Sequence, residues 1–362
     1  MNAPKIRFPN FIDNYEKLKY GDVLKIKSGR DQKQVECENG QYPILGTGGE
    51  IGRSNSYLYN KPSVLIGRKG TINKPQYMET PFWTVDTLFY SEIFDTCFPK
   101  YLYYSFQNVN WKKYDESTGV PSLSCSTIEK VDCFIPKKDE QIKVSNFLSL
   151  LDKKIELQSK KIEDLKLFKL SLREKLFYMF PTNNKKLSEI LTKWNKKNKD
   201  NKYSYVESVS NKFGFIAQNE QFEDRNVASN DTSNYYVIEK GVFAYNPSRL
   251  NVGSLALKQN DKISLVSPLY ECFTTNQNQD FMLEWFQSKE FRRGTFSKYE
   301  GGVRNTLNFN NLSSIEIKLP NLESQNKIVK VLSCYNKMID LELKKLNKLL
   351  EFKKGLMQQL FI

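Results

Sequence analysis

Histidine is missing altogether from this 362-residue chain. Imidazole is the usual general base near neutral pH and the commonest transition-metal ligand. Its absence excludes serine triads, cysteine–histidine pairs and histidine zinc sites. Cysteine is sparse as well: Cys37, Cys97, Cys125, Cys133, Cys272 and Cys334 form no C-x-x-C pair and follow no regular framework. They read as reduced core thiols, not as a disulfide or metal scaffold. No run approaches the ~20 apolar residues of a membrane span. The opening MNAPKIRFPNFIDNYEK has no apolar stretch after a basic one, so nothing in it resembles a signal peptide, and a soluble cytoplasmic protein is expected.

What is present is a folded, basic chain. A hydrophobic share of 39% and an aromatic share of 13% exclude a disordered protein, and the length suits two domains, each burying its own core. The net charge is +14, with a pI near 9.2. Excess Lys and Arg is the footprint of a polyanionic partner, because neutralised phosphates release counterions. Lysine surplus also serves solubility, so arrangement has to decide between the two.

A shift of 184 residues superposes Pro136 to Phe177 on Pro320 to Phe361, with identities that include Gln141/Gln325, Leu148/Leu332, Leu157/Leu341, Phe168/Phe352 and Lys169/Lys353. Both copies read as long helices entered just after a proline, with Asp139 or Glu323 in the first turn, where negative charge suits the helix dipole. Steps of three and four visit Leu148, Leu151, Ile155, Gln158, Ile162, Leu165, Lys169, Leu172 and Leu176 in the first copy. The second visits Leu332, Tyr335, Ile339, Glu342, Leu346, Leu349, Lys353, Leu356 and Leu360. Each is a coiled-coil seam of period 3.5, interrupted by polar residues at the same two steps. An antiparallel pair is predicted, with Lys169 against Glu342, Lys353 against Gln158, Ile162 on Leu349, Leu165 on Leu346, Ile155 on Leu356 and Leu172 on Ile339. At 1.5 Å per residue the stretch from Leu148 to Met179 would be about 48 Å long, enough to serve as a ruler.

Each helix follows a segment of roughly 130 residues, rich in Tyr, Phe, Gly and Asn, whose short alternating runs read as strands. The first segment opens near Tyr20-Gly21-Asp22-Val23 and the second near Leu187-Ser188-Glu189-Ile190. VLIGRKG (Val64 to Gly70) reads as a buried strand running into a basic turn, and VFAYNPSRLNVG (Val242 to Gly253) takes the corresponding place. An aromatic strand follows each, FWTVDTLFY from Phe82 and LVSPLYECF from Leu265. Turn chemistry at Gly67, Gly70, Pro247 and Gly253 would hold Arg68, Lys69 and Arg249 at exposed tips, where arginine can fork onto guanine or clamp a phosphate. The glycine-rich GTGGEIGRSN from Gly46 carries Arg53 and has amides to approach a phosphate, but it lacks the P-loop pattern. STGVPSLS from Ser117 and EGGVRNTLN from Glu300, with Arg304, close the two segments. Lys74 and Arg225 complete the candidate DNA contacts.

Two motifs suggest catalysis and are set aside. YNPSR (Tyr245 to Arg249) is near the N-P-P-aromatic loop of amino-methyltransferases, but Ser248 replaces the second proline and no glycine-rich cofactor loop lies upstream. Glu316-x-Lys318 fits the end of a nuclease site, yet no acidic partner precedes it, and an ordinary strand is expected. No catalytic residue and no metal ligand is assigned. The rival classes are a stand-alone restriction or methylation enzyme and a coiled-coil adaptor that binds only proteins.

The whole pattern resembles the specificity subunit of a type I restriction-modification system. The resemblance rests on PKIRFPNF followed by LKYGDV, on two domains each ending in a glycine-containing segment, and on the helix entries PKKDEQIKVSNFLSLLD and PNLESQNKIVKVLSCYN. The second entry departs from the first, with Ser324 where Glu140 stands, so equal partner contacts at the two helices are not implied. The fold class expected is α+β: two similar, mainly-β target-recognition domains with minor helices (1–137 and 181–320), separated by two long helices (138–180 and 321–362) forming an antiparallel coiled coil. The resemblance implies that each domain reads one half of a split double-stranded DNA site, the amino-terminal domain taking the 5′ half. It implies two modification subunits carrying S-adenosylmethionine, and restriction subunits using ATP and magnesium, with no cofactor and no catalysis in this chain.

Overall fold

The computed structural model describes residues 3–211, 213–218, 231–299 and 306–362. The fold is α+β, and its contacts divide it into two units: residues up to 160 together with 342–362, and residues 161–341.

In the first unit, β1 (Glu16–Lys19) pairs antiparallel with β9 (Asp132–Ile135), and the short helix α1 (Tyr20–Val23) follows β1. Four strands then form a sheet in the order β2 (Leu24–Ser28), β8 (Leu88–Ile93), β5 (Ser63–Gly67), β6 (Gln76–Met78). A second sheet has the order β4 (Gly49–Ser54), β3 (Tyr42–Gly46), β7 (Trp83–Thr84). Helices α2 (Pro99–Asn108) and α3 (Cys125–Lys130) complete the domain, and α4 (Lys138–Phe177) leaves it. Val64, Leu65 and Ile66 on β5 are fully buried, as a continuous apolar run between two layers requires.

The second unit repeats this plan. β10 (Thr182–Lys186) pairs antiparallel with β19 (Glu316–Pro320). The four-stranded sheet runs β11 (Leu191–Lys193), β18 (Glu271–Thr275), β15 (Phe243–Tyr245), β16 (Leu255–Leu257), the same topology as in the first unit. It adds a hairpin, β12 (Glu207–Ser210) with β13 (Gly214–Ala217), and a pair, β14 (Tyr236–Ile238) with β17 (Ser264–Val266). Among its described residues stand the helices α5 (Gln279–Phe286), α6 (Lys289–Phe296), α7 (Phe309–Ser313) and the long α8 (Leu322–Leu360). Glu316 and Lys318 thus lie on an ordinary strand, opposite Lys186 and Asn184.

Three expectations change. Each aromatic run is two strands in different sheets: FWTVDTLFY splits into β7 and β8, and the segment from Ser264 splits into β17 and β18. The bends fall at Val85-Asp86-Thr87 and Ser267-Pro268, which carry polar or proline residues that cannot continue a ladder. GTGGEIGRSN is the tip of the β3–β4 hairpin, with Gly46 opposite Gly49, not an open phosphate loop. Of the cysteines, Cys97, Cys133 and Cys272 are buried, Cys37 and Cys125 are half-buried, and Cys334 is exposed on α8.

The helices pair antiparallel within each unit, but not in the predicted register. In the first unit Asp152 meets Lys353 at 2.5 Å, and Gln158 Nε2 donates to Glu342 Oε2 at 2.7 Å. In the second, Phe168 packs on Tyr335 with ring centroids 5.4 Å apart, and Leu172 and Leu332 share one core. The pairings Lys169 with Glu342 and Lys353 with Gln158 are therefore replaced, and with them the apolar pairs that depended on that register. Lys169 instead donates to Glu284 of α5 at 2.6 Å, and Lys353 reaches Gln107 of α2 at 3.4 Å as well as Asp152. The physical reason is that a 3.5-residue seam tolerates several registers. The long lysine stems find partners on the helices of the globular domains, which helix-only matching leaves out. Among the seam residues, Leu151, Ile162, Ile339 and Glu342 are buried, while Ile155, Leu165, Leu346, Leu349 and Leu356 are half-buried.

Candidate nucleic-acid interface

The basic tip of the first domain is built where β5 ends. Gly70 has φ +82°, a left-handed backbone that glycine adopts without strain, and it turns the chain so that Arg68 and Lys69 are exposed. Backbone bonds pin the tip on both sides: Arg68 N–H to Thr87 O at 2.8 Å, Gly70 N–H to Pro121 O at 2.8 Å, and Leu123 N–H to Arg68 O at 2.9 Å. STGVPSLS therefore lies directly against the tip. Asp115 ties that segment together, accepting from Ser122 N–H at 2.9 Å and from Ser117 N–H at 3.0 Å. Those amides, Ser122 foremost, hold the Asp115 carboxyl below the usual carboxylate range. Arg68 makes one long bond, to Asp86 O at 3.4 Å, and its guanidinium remains presentable. Lys74 is exposed on the loop between β5 and β6.

The second domain builds the same device. After β15 the chain turns at Asn246, whose Oδ1 accepts from Ser248 N–H at 3.0 Å. Gly253, at φ +88°, closes the following 3₁₀ turn. Arg249 is exposed on this turn. Pro247 O accepts from Leu307 N–H at 3.1 Å, and the buried Tyr245 hydroxyl donates to Leu307 O at 3.1 Å. In YNPSR, then, the asparagine side chain serves its own turn. Arg225 and Arg304 lie outside the described residues.

Arg53 behaves differently from Arg68 and Arg249. Its guanidinium donates to Gly40 O at 2.7 Å, Gln41 O at 3.0 Å and Glu50 at 2.9 Å. It staples the β3–β4 hairpin to the preceding loop, so its donors are spent on structure.

Each tip connects to a long helix through elements that sequence identity did not reveal. Leu123 and Leu307, which bond the two tips, stand 184 residues apart and are each followed by a helix cap. Ser124 accepts from Thr127 N–H at 3.1 Å, and Asn308 from Asn311 N–H at 2.8 Å. Extending the 184-residue shift toward the N-terminus would have found these caps. The repeated glutamine then anchors helix to domain. Gln141 Nε2 donates to Pro136 O at 2.8 Å while its Oε1 accepts from Phe98 N–H at 2.7 Å. Gln325 Nε2 donates to Pro320 O at 2.8 Å while its Oε1 accepts from Asn278 N–H at 3.0 Å. Phe98 and Asn278 are the N-caps of α2 and α5, so one side chain in each unit locks the long helix to a domain helix. The copies differ at Glu140, which is buried and forks with Arg7 at 2.7 and 2.8 Å. Ser324 stands in its place, and its main-chain N–H donates to Asn321 Oδ1 at 2.9 Å.

Among the described residues, no helix is long and apolar enough to cross a membrane. The sequence model for the type I restriction modification DNA specificity domain matches the chain twice, over residues 12–167 and 180–351. Among solved structures, the chain is similar to the S subunit of a type I restriction-modification system from M. genitalium, at 16% identity over 99% of both chains with a TM-score of 0.61. It is also similar to a structure described as the basis of complex assembly and conformational transition of the type I R-M system, at 11% identity over 97% of this chain and 98% of that one, with a TM-score of 0.59. At these identities the likeness is one of fold. No curated protein sequence matches the chain.

Proposed function

Since the chain belongs to the type I restriction-modification DNA specificity family, whose role is DNA sequence recognition and which is non-catalytic, we propose that its two domains each read one half of a split duplex target. Phosphate contacts hold each domain on the DNA, and Arg68, Lys69 and Arg249 reach base edges from the pinned tips. The amino-terminal domain takes the 5′ half. The observation that carries this reading is the doubled anchor: Gln141 and Gln325 tie the same helix to the same domain element by the same pair of hydrogen bonds. A unit built twice to one plan is what a bipartite site needs.

The long helices set the gap between half-sites and dock two modification subunits. Supporting a partner bound twice, Leu157 and Leu341 are 58% and 57% exposed, and Phe168 and Phe352 are 52% and 56% exposed. Identical large apolar residues left equally open at equivalent positions fit one partner surface used at both copies. In this reading S-adenosylmethionine belongs to the modification subunits, ATP and magnesium belong to restriction subunits, and the complex acts on DNA in the cytoplasm.

The test is a heptad inserted into, or deleted from, both long helices. Seven residues change the length by about 10 Å, or about three base pairs at 3.4 Å each. Methylome sequencing of a host carrying the variant with its modification subunit should show an altered spacer between unchanged half-sites. An unchanged spacer would reject the ruler.

A further inference from the structure

We propose that the loop over residues 196–205, with Lys262 beside it, is the phosphate-gripping surface of the second domain on duplex DNA. This rests on the recognition reading above and supplies residues that the exposed arginine tip does not include. The stretch KWNKKNKDNK (193–202) holds five lysines and one aspartate. Such a charge run is ordinarily a solvated, mobile segment. Here it is clamped. Asn198 is 3% exposed; its N–H donates to Tyr235 O at 3.0 Å, its Nδ2 to Tyr203 O at 2.9 Å and Thr232 Oγ1 at 3.2 Å, and its Oδ1 accepts from Tyr203 N–H at 3.1 Å. Trp194 Nε1 donates to Val237 O at 2.8 Å, tying the start of the loop to β14.

The lysines fall into two groups. Lys193 pairs with Glu271 at 3.0 Å, and Lys196 pairs with Glu239. Lys197, Lys199, Lys202 and Lys262 form no ion pair among the described residues. Lys197 Nζ sits 3.8 Å from the Tyr236 ring centroid and donates to Asn234 O at 2.8 Å. Lys262 Nζ sits 3.2 Å from the Tyr205 centroid. A ring face or a carbonyl positions an ammonium without neutralising it. The nearby carboxylates are Asp200 on the loop, Asp231, and Asp261, which pairs with Lys240 at 3.0 Å. Uncompensated charges on two neighbouring loops, with Lys197 and Lys262 held at set positions and Lys199 and Lys202 carried on the clamped backbone, fit an extended, repeating anion. Lysine suits phosphate as a point charge and lacks the planar fork that guanine rewards.

The experiment uses the full chain co-expressed with its modification subunit. Binding to a target duplex and to an unrelated duplex is measured across a potassium chloride series. The variant combining Lys197→Gln, Lys199→Gln, Lys202→Gln and Lys262→Gln should bind both duplexes more weakly by a similar factor. Its log–log salt slope should be shallower by up to about 3 to 4, near 0.9 for each lost phosphate contact, with sequence preference retained. The matching fourfold Arg variant should keep the wild-type slope, and so should Lys240→Gln. Melting curves that coincide with wild type establish that the variants fold. A Gln variant with an unchanged slope, while wild type binds its target selectively, overturns the assignment alone. So does an Arg variant that loses as much slope as the Gln variant. A wild-type complex with no sequence preference overturns the recognition reading and this surface with it.

Discussion

Gln158 and Glu342 occupy the same step of the two repeats and are hydrogen-bonded to each other. Gln158 Nε2 donates to the Glu342 carboxylate at 2.7 Å and to its main-chain oxygen at 3.0 Å. Glu342 is 9% exposed and also receives Lys345 at 3.0 Å. A polar step in an apolar seam costs stability unless its partner is a polar step as well, so this pair selects a register.

That pairing makes Glu342→Ala costly, because it removes the carboxylate that accepts from the Gln158 amide at 2.7 Å and leaves only the main-chain oxygen of residue 342 as its acceptor. We expect a loss of about 1–3 kcal/mol, read as a lower urea midpoint. The double variant Gln158→Leu with Glu342→Leu should be less destabilised than the two single changes added together, since it removes both polar groups at once. Strict additivity would mean that the two side chains do not depend on each other.

The arginines divide by what already holds them. Arg53→Ala removes three structural bonds and should lower stability by about 1–3 kcal/mol while leaving sequence preference unchanged. Arg68→Ala, Lys69→Ala and Arg249→Ala should change stability by less than about 0.5 kcal/mol. Where one of these residues reads a base, discrimination at that position should fall by about 1–3 kcal/mol, roughly 5- to 150-fold. Wild-type preference in all three would refute the tip assignment; an Arg53→Ala variant that melts normally but reads the wrong sequence would reverse the division.

The thiols offer a check through pH. Burial pushes the Cys97 thiol up to about 11 and the Cys133 thiol up to about 12, and raises Cys272 further. Thiolate is the nucleophile, and at pH 8 these three remain protonated and enclosed. Iodoacetamide at pH 8 should modify exposed Cys334 first, with Cys97, Cys133 and Cys272 protected until the fold opens in denaturant. Intact mass and peptide mapping would follow this order, and early modification of Cys133 would contradict the packing of its core.

Much of the architecture was legible along the chain. The doubling was visible as identity, because helix seams reuse the same apolar and basic residues at constant spacing. The buried strand VLI and the basic tip after it were visible because a continuous apolar run ending in glycine has few other folds available. The reach of the repeat before Pro136 was only faintly legible: Leu123 and Leu307 match under the same shift, but Ser124 and Asn308 perform one capping task with different residues. The spending of Arg53 was not visible, since its acceptors Gly40 O and Gln41 O are backbone groups that no sequence pattern announces.

By itself, the sequence determined that this is two copies of one basic, mainly-β unit, each with a long antiparallel helix, and that histidine chemistry plays no part in it. Those properties follow from composition and from periodicity, which are local. Only the tertiary structure decided the helix register, the partners of Lys169 and Lys353, and which lysines stay uncompensated. Each of those depends on groups far apart in the chain meeting in space: a lysine chooses between an acid on the facing helix, an acid on its own domain and a tyrosine ring by distance and burial. Spacing along one strand of sequence does not contain that information.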